Sequence, residues 1–164
     1  MSTKIYTSFQ FDDPKEIIKD LSDNFHNVSP DTLGLLMCDS QVNCHEVLTG
    51  LQALAAFPIV GGTTLSFPIS SDQTEDIAAG IMLISKKGLR SKVLLSPPLE
   101  KGKQKEQMQE LCEHSAFELG ETPAMLMPFF PLVPGFPTGM FITALLEAAG
   151  NIPVFGGTTT GDLI

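Results

Sequence analysis

The sequence predicts an α/β fold: a mixed, largely parallel sheet with flanking helices, built from two related half-units. Three observations carry this. The segment Pro58-Ile59-Val60-Gly61-Gly62-Thr63-Thr64 returns as Pro153-Val154-Phe155-Gly156-Gly157-Thr158-Thr159. Each copy follows an apolar, helix-like segment, Leu48–Ala56 in the first case and Thr143–Ala149 in the second. Each of those segments follows a continuous apolar run, Leu33–Cys38 or Ala124–Met127, the pattern of a strand covered on both faces. A strand, helix, strand and glycine-pair unit is therefore used twice, with half-units over roughly residues 30–96 and 122–164, in a chain expected to be either a single domain of residues 1–164 or a fragment of a longer protein.

In chain order, Ile5–Phe11 alternates loosely and reads as an edge strand. A helix follows, with Asp13 as N-cap and Pro14 in the first turn, where its missing N–H costs nothing. Glu16 stands where a capping box needs it, and Ile17, Ile18, Leu21 and Phe25 form the buried stripe. After the strand Leu33–Cys38, the polar residues Asp39–Asn43 lead to a second helix capped by Asn43, with Glu46 three residues on. Cys44, Val47, Leu48, Leu51 and Leu54 share one face of it.

Leu65–Asp76, with Pro68 and a Ser-Ser-Asp cluster, reads as a surface loop. Gly80–Ile84 reads as a buried strand, Lys86-Lys87-Gly88 as a turn, and Lys92–Ser96 as its hairpin partner, stopped by Pro97-Pro98. A charged stretch from Glu100 opens a helix with Met108, Leu111, Cys112, Ala116 and Leu119 on its inner side. Its Glu106, Glu110, Glu113 and His114 form a solvated face, and Gly120 and Pro123 close it.

The segment Pro128–Pro137 is unusual. Prolines 128, 131, 134 and 137 recur at the three-residue period of polyproline II, with Phe129, Phe130 and Phe136 between them. Three phenylalanines in a connection must cover the core, a ligand or another chain. A ligand for SH3-like modules is not expected, since no arginine or lysine flanks the prolines. Thr138 then caps a helix through Phe141, Ile142, Leu145 and Leu146, ended by Gly150.

With 43 % hydrophobic residues the 164-residue chain can bury a core of its own. A net charge of −9 argues against nucleic acid or an anionic membrane as partner, both of which need a basic face. No secretory signal or apolar run of membrane-spanning length is visible, so a cytoplasmic location is expected. The three cysteines, Cys38, Cys44 and Cys112, have no paired spacing, and no disulfide framework is expected. His26, His45 and His114 are scattered, and adjacent Cys44 and His45 point about 100° apart on a helix, so no metal site is expected.

In open α/β sheets ligands bind beyond the carboxyl ends of strands. Asp39 and Ser40 stand at such an end. The glycine pairs let the chain leave the sheet sharply and admit close approach to the backbone, each followed by two hydroxyls. The expected ligand-binding residues are thus Asp39, Ser40, Gly61, Gly62, Thr63, Thr64, Gly156, Gly157, Thr158 and Thr159, with Phe136 in the covering loop. Amides and hydroxyls there suit a carboxylate or phosphate, and the lysine of a P-loop is missing. Plain turns at the glycine pairs and a structural role for Cys38 are the simpler alternatives. Two further readings stay open: an enzyme with Cys38 as nucleophile beside His45 or Asp39, and an interaction or oligomerisation module using residues 128–137.

The order of the strand Leu33–Cys38, the polar loop, the helix, Pro58–Thr64, Gly80–Ile84 and then Ile152–Gly157 resembles the amino-terminal part of the FIST family of intracellular sensory domains. The resemblance implies small-molecule sensing in signalling, with amino acids as proposed ligands. Members are longer, which implies either a further carboxyl-terminal region or a second chain at the bare sheet edge. Many members resemble Gly-Cys-Ser or Gly-Cys-Thr where this chain has Gly61-Gly62-Thr63, so a role for a cysteine there does not carry over. Some members bind haem; no motif here singles out a haem ligand, so no cofactor is expected, with haem the alternative.

Overall fold

The computed structural model describes residues 1–64, 77–131 and 135–159. They group into two compact units, the first built on Met1–Ser91 and the second on Lys92–Thr158. The loop expected over Leu65–Asp76 and the middle of the Pro-Phe segment, residues 132–134, lie outside the described residues. Among the described residues no helix is long and apolar enough to cross a membrane.

The first unit runs β1 (Ser2–Ser8), α1 (Pro14–Ser22), β2 (Thr32–Asp39), α2 (Cys44–Leu54), β3 (Ile59–Thr64) and β4 (Ala79–Ser85). Helix α1 starts as its sequence demands, with the Asp13 side chain accepting from the Lys15 N–H at 2.8 Å. The Asn43 carbonyl oxygen accepts from the Glu46 N–H at 3.3 Å, and the Asn43 amide donates to the Glu46 carboxylate at 3.3 Å, joining cap and first turn of α2. Ile17 and Leu21 of α1 and Cys44, Val47, Leu48 and Leu51 of α2 are buried in one core with Leu36, Cys38, Ile59, Ile81 and Leu83 of the sheet. Leu54, assigned to the same stripe, is 60 % exposed at the end of α2, where the helical period carries it away from the sheet.

The sheet order is β1-β4-β2-β3. It is mixed. Strands β2 and β3 run parallel across α2, as a βαβ unit requires, but β4 lies between β1 and β2, antiparallel to both. The expected hairpin of Gly80–Ile84 with Lys92–Ser96 therefore does not form; residues 89–100 carry no strand. Both edges of β4 already pair with β1 and β2, leaving no ladder positions for a third strand.

The glycine pairs also differ from expectation. Gly61 and Gly62 do not turn the chain out of the sheet: they lie inside β3, paired with Leu36 and Met37. Glycine serves close approach here, because a Cβ on Gly61 would meet both the Cβ and the carbonyl oxygen of Leu36 at 2.9 Å.

The second unit contains α3 (Gln104–Leu119), β5 (Phe129–Pro131), α4 (Thr138–Ala149) and β6 (Gly157–Thr159). Helix α3 ends at Gly120, whose φ of 71° is left-handed, as its position after Leu119 predicts. Strands β5 and β6 pair, and Leu126 forms a parallel bridge with Val154 just before them. Met108, Phe130, Phe141, Ala144 and Leu145 make the core. Phe136 stacks on Phe141 with ring centroids 5.2 Å apart and planes 3° from parallel. Thr138 is the first residue of α4 instead of its cap; Pro137 precedes it and the Thr138 N–H donates to the Phe136 carbonyl.

Candidate functional site

The carboxyl end of β2 is held on both sides. The Asp39 N–H donates to the Ala78 carbonyl at 2.8 Å, on the β4 side, and the Ser40 N–H donates to the Thr64 carbonyl at 3.1 Å, on the β3 side. The β2–β3 register sets Cys38 beside Thr63 and Asp39 beside Thr64. Four of the residues singled out from sequence, Asp39, Ser40, Thr63 and Thr64, thus meet at one corner of the first unit. Ser40 is exposed, and Asp39, Thr63 and Thr64 are half-buried. Gly61 and Gly62 are buried further back along β3.

The loop from this corner to α2 is tightly wound. The Asp39 carboxylate accepts from the Gln41 N–H at 2.9 Å, the Asp39 carbonyl from the Val42 N–H at 3.0 Å, and the Val42 carbonyl from the Cys44 N–H at 2.8 Å. These bonds satisfy the amides of a chain reversing from a strand into a helix.

In the second unit Gly156, Gly157 and Thr158 are exposed, and the Gly157 N–H donates to the Pro128 carbonyl at 3.1 Å. Gly157 and Thr159 belong to β6, so this glycine pair too ends in a strand and not in a turn. A Cβ on Gly156 would collide with the Pro128 carbonyl, whereas one on Gly157 would meet nothing within 4 Å. Phe136, expected to cover a ligand, is half-buried and packs within the second unit against Phe141.

Cys44 and Cys38 are buried in one core cluster, whereas His45 next to Cys44 in sequence is exposed. Cys38 is fully buried near the end of β2 and Cys44 is 3 % exposed at the first position of α2. The influence of Cys44, then burial, then the charge on Asp39 push the Cys38 thiol far up, while the influence of Cys38 lowers Cys44 against the opposing effect of burial. A nucleophile needs the reverse of what Cys38 has.

Gln104, at the start of α3, is 7 % exposed. Its Oε1 accepts from the Gly102 N–H at 3.0 Å, and its Nε2 has no hydrogen-bond partner. It borders a shallow groove of about 340 Å³ between α3 and α4, beside the exposed Lys105–Glu147 ion pair at 2.9 Å. Among the described residues no group of three or more histidine, cysteine or acidic side chains could hold a metal ion. No protein-family model matches the chain, and no curated protein is significantly similar to it.

Proposed function

We propose that this chain is a small-molecule-binding sensory domain of intracellular signalling, resembling the amino-terminal part of the FIST family, and that its ligand is an amino acid or other small carboxylate. The carrying observation is the corner at the end of β2, where Ser40 bonds to the Thr64 carbonyl and Asp39 stands in register with Thr64. An amino acid presents both charges to such a corner. Its ammonium group meets the Asp39 carboxylate, and its carboxylate meets the Ser40 hydroxyl and the amino end of α2.

Local register supports reading the two glycine segments as copies of one strand, helix, strand half-unit. In the first unit the Gly34 N–H donates to the Pro58 carbonyl at 2.9 Å; in the second the Leu126 N–H donates to the Pro153 carbonyl at 2.9 Å. Two residues on from each donor, Leu36 and Pro128 are the residues that a side chain on Gly61 or Gly156 would strike. The paired threonines follow at the same station in both, so Gly156–Thr159 is the second candidate contact surface.

A thermal-shift screen against amino acids, small carboxylates and haem tests the reading, followed by calorimetric titration of any hit. A ligand at a hundred times its Kd should stabilise the folded chain by about 2.7 kcal/mol. Asp39→Asn and Ser40→Ala should each abolish most of that shift while leaving the unliganded melting temperature within a few degrees. Absence of any shift across the screen, or a shift unaffected by both substitutions, rejects this site.

A further inference from the structure

We propose that the groove between α3 and α4 binds a small neutral carboxamide with an apolar body, whose carbonyl accepts from Gln104 and whose N–H groups donate to Thr143 and Glu147. These residues all belong to the second unit, and the proposal does not rest on the ligand reading at Asp39 and Ser40.

Gln104 is the first residue of α3, and Lys103 precedes it without a side-chain cap. The Gln104 side chain folds back instead, and its Oε1 accepts from the Gly102 N–H at 3.0 Å. That bond decides which end of the amide is which, because an N–H can be accepted only by the oxygen. The NH2 end is left over. It belongs to a side chain that is 7 % exposed and lines the groove, and it has no hydrogen-bond partner. A buried donor without an acceptor is costly, and a ligand that supplies one removes that cost on binding.

The other polar side chains of the groove set what kind of ligand fits. The Thr143 hydroxyl donates its proton to the Gly139 carbonyl at 2.9 Å, so toward a ligand it acts as an acceptor. Glu147 is an acceptor as well, and it already holds the Lys105 ammonium at 2.9 Å. Gln104 is thus the donor still unused among these side chains, against two acceptors. A carboxylate would set its own acceptor oxygens against Thr143 and Glu147. A carboxamide matches both signs, with a carbonyl for Gln104 and N–H groups for the acceptors. Ala144 and the exposed Met140 supply the apolar wall, and the space beside Gly139 is open, since a Cβ there would meet nothing within 4 Å. A volume of about 340 Å³ restricts the ligand to a small one. The Gln104 Nε2 is closed to water in the free chain, and the flexible Met140 side chain is the wall that gives way to the ligand.

The test uses the full chain, isotope-labelled for NMR, with benzamide as the probe and benzoate as its counterpart lacking an N–H. Benzamide should shift the side-chain NH2 resonances of Gln104 in a saturable way. Its Kd should be at least about tenfold lower than that of benzoate, the selectivity expected where buried polar groups need a matching partner. Thr143→Val, at an exposed position of α4, should weaken benzamide at least about fivefold without weakening benzoate. Gln104 resonances that stay in place up to the solubility limit of benzamide, or benzoate binding as tightly as benzamide, overturn the proposal, and both are read from the unaltered chain. Shifts confined to the surroundings of Asp39 and Ser40 overturn it too, and would speak for that site alone.

Discussion

Gly61 and Leu36 face each other across β3 and β2 with no room for a methyl group between them, since a Cβ on Gly61 would sit 2.9 Å from the Leu36 carbonyl oxygen. The obstacle is backbone, which cannot rotate away. Gly61→Ala should therefore destabilise the first unit by about 1–3 kcal/mol in urea unfolding, the usual range for forcing atoms into a packed site. Unchanged stability would mean that the two strands can part at little cost.

Gly156 and Gly157 are neighbours with opposite surroundings. The Pro128 carbonyl occupies the space beside Gly156, and nothing stands within 4 Å of a Cβ on Gly157. Gly156→Ala should lower stability, whereas Gly157→Ala should change it by less than about 0.5 kcal/mol, as for an unobstructed surface site. Equal effects would show that the pair acts as one feature. Thermal unfolding of the two variants side by side decides it.

Removing the cap of α2 has a defined cost. Asn43→Ala deletes the acceptor for the Glu46 N–H and should destabilise by about 1 kcal/mol. Asn43→Asp keeps the acceptor and should retain most of the stability. A chemical-denaturation midpoint for each variant checks the difference.

Phe141 is fully buried and carries the stacked ring of Phe136. Phe141→Ala should cost about 3–5 kcal/mol, and Phe136→Ala, at a half-buried position, should cost less. If Phe136→Ala instead abolishes ligand binding with stability unchanged, the ring's main work is at a site and not in the core.

Cys38 should be the slowest cysteine to alkylate in the folded chain. Its thiol is pushed far up by the influence of Cys44 and by burial, so little thiolate exists at neutral pH. Iodoacetamide should modify it at least about a hundredfold more slowly than a free thiol, with the difference lost in urea. Rapid modification would restore Cys38 as a candidate nucleophile.

Local signals were readable wherever one residue type has one strong reason for its place. Asp13, Pro14 and Asn43 announce helix starts, Gly120 a helix end, and the run Leu33–Cys38 a strand, although only one of its faces is fully buried, because capping and strand propensity depend on near neighbours in the chain. The candidate corner was partly readable for the same reason: Asp39 and Ser40 follow a strand and precede a cap. The insertion of β4 between β1 and β2, and with it the loss of the Lys92–Ser96 hairpin, was not readable, since strand partners are chosen by long-range pairing.

By itself, then, the sequence determined the α/β character and the helix boundaries near their caps. Only the tertiary structure decided that Gly61, Gly62 and Gly157 are strand residues, that Asp39 and Ser40 stand beside Thr64, and that Cys38 and Cys44 share one core. Capping and periodicity act within a turn or two of helix. Register and core packing instead require separate segments to compete for the same hydrogen bonds and the same core volume.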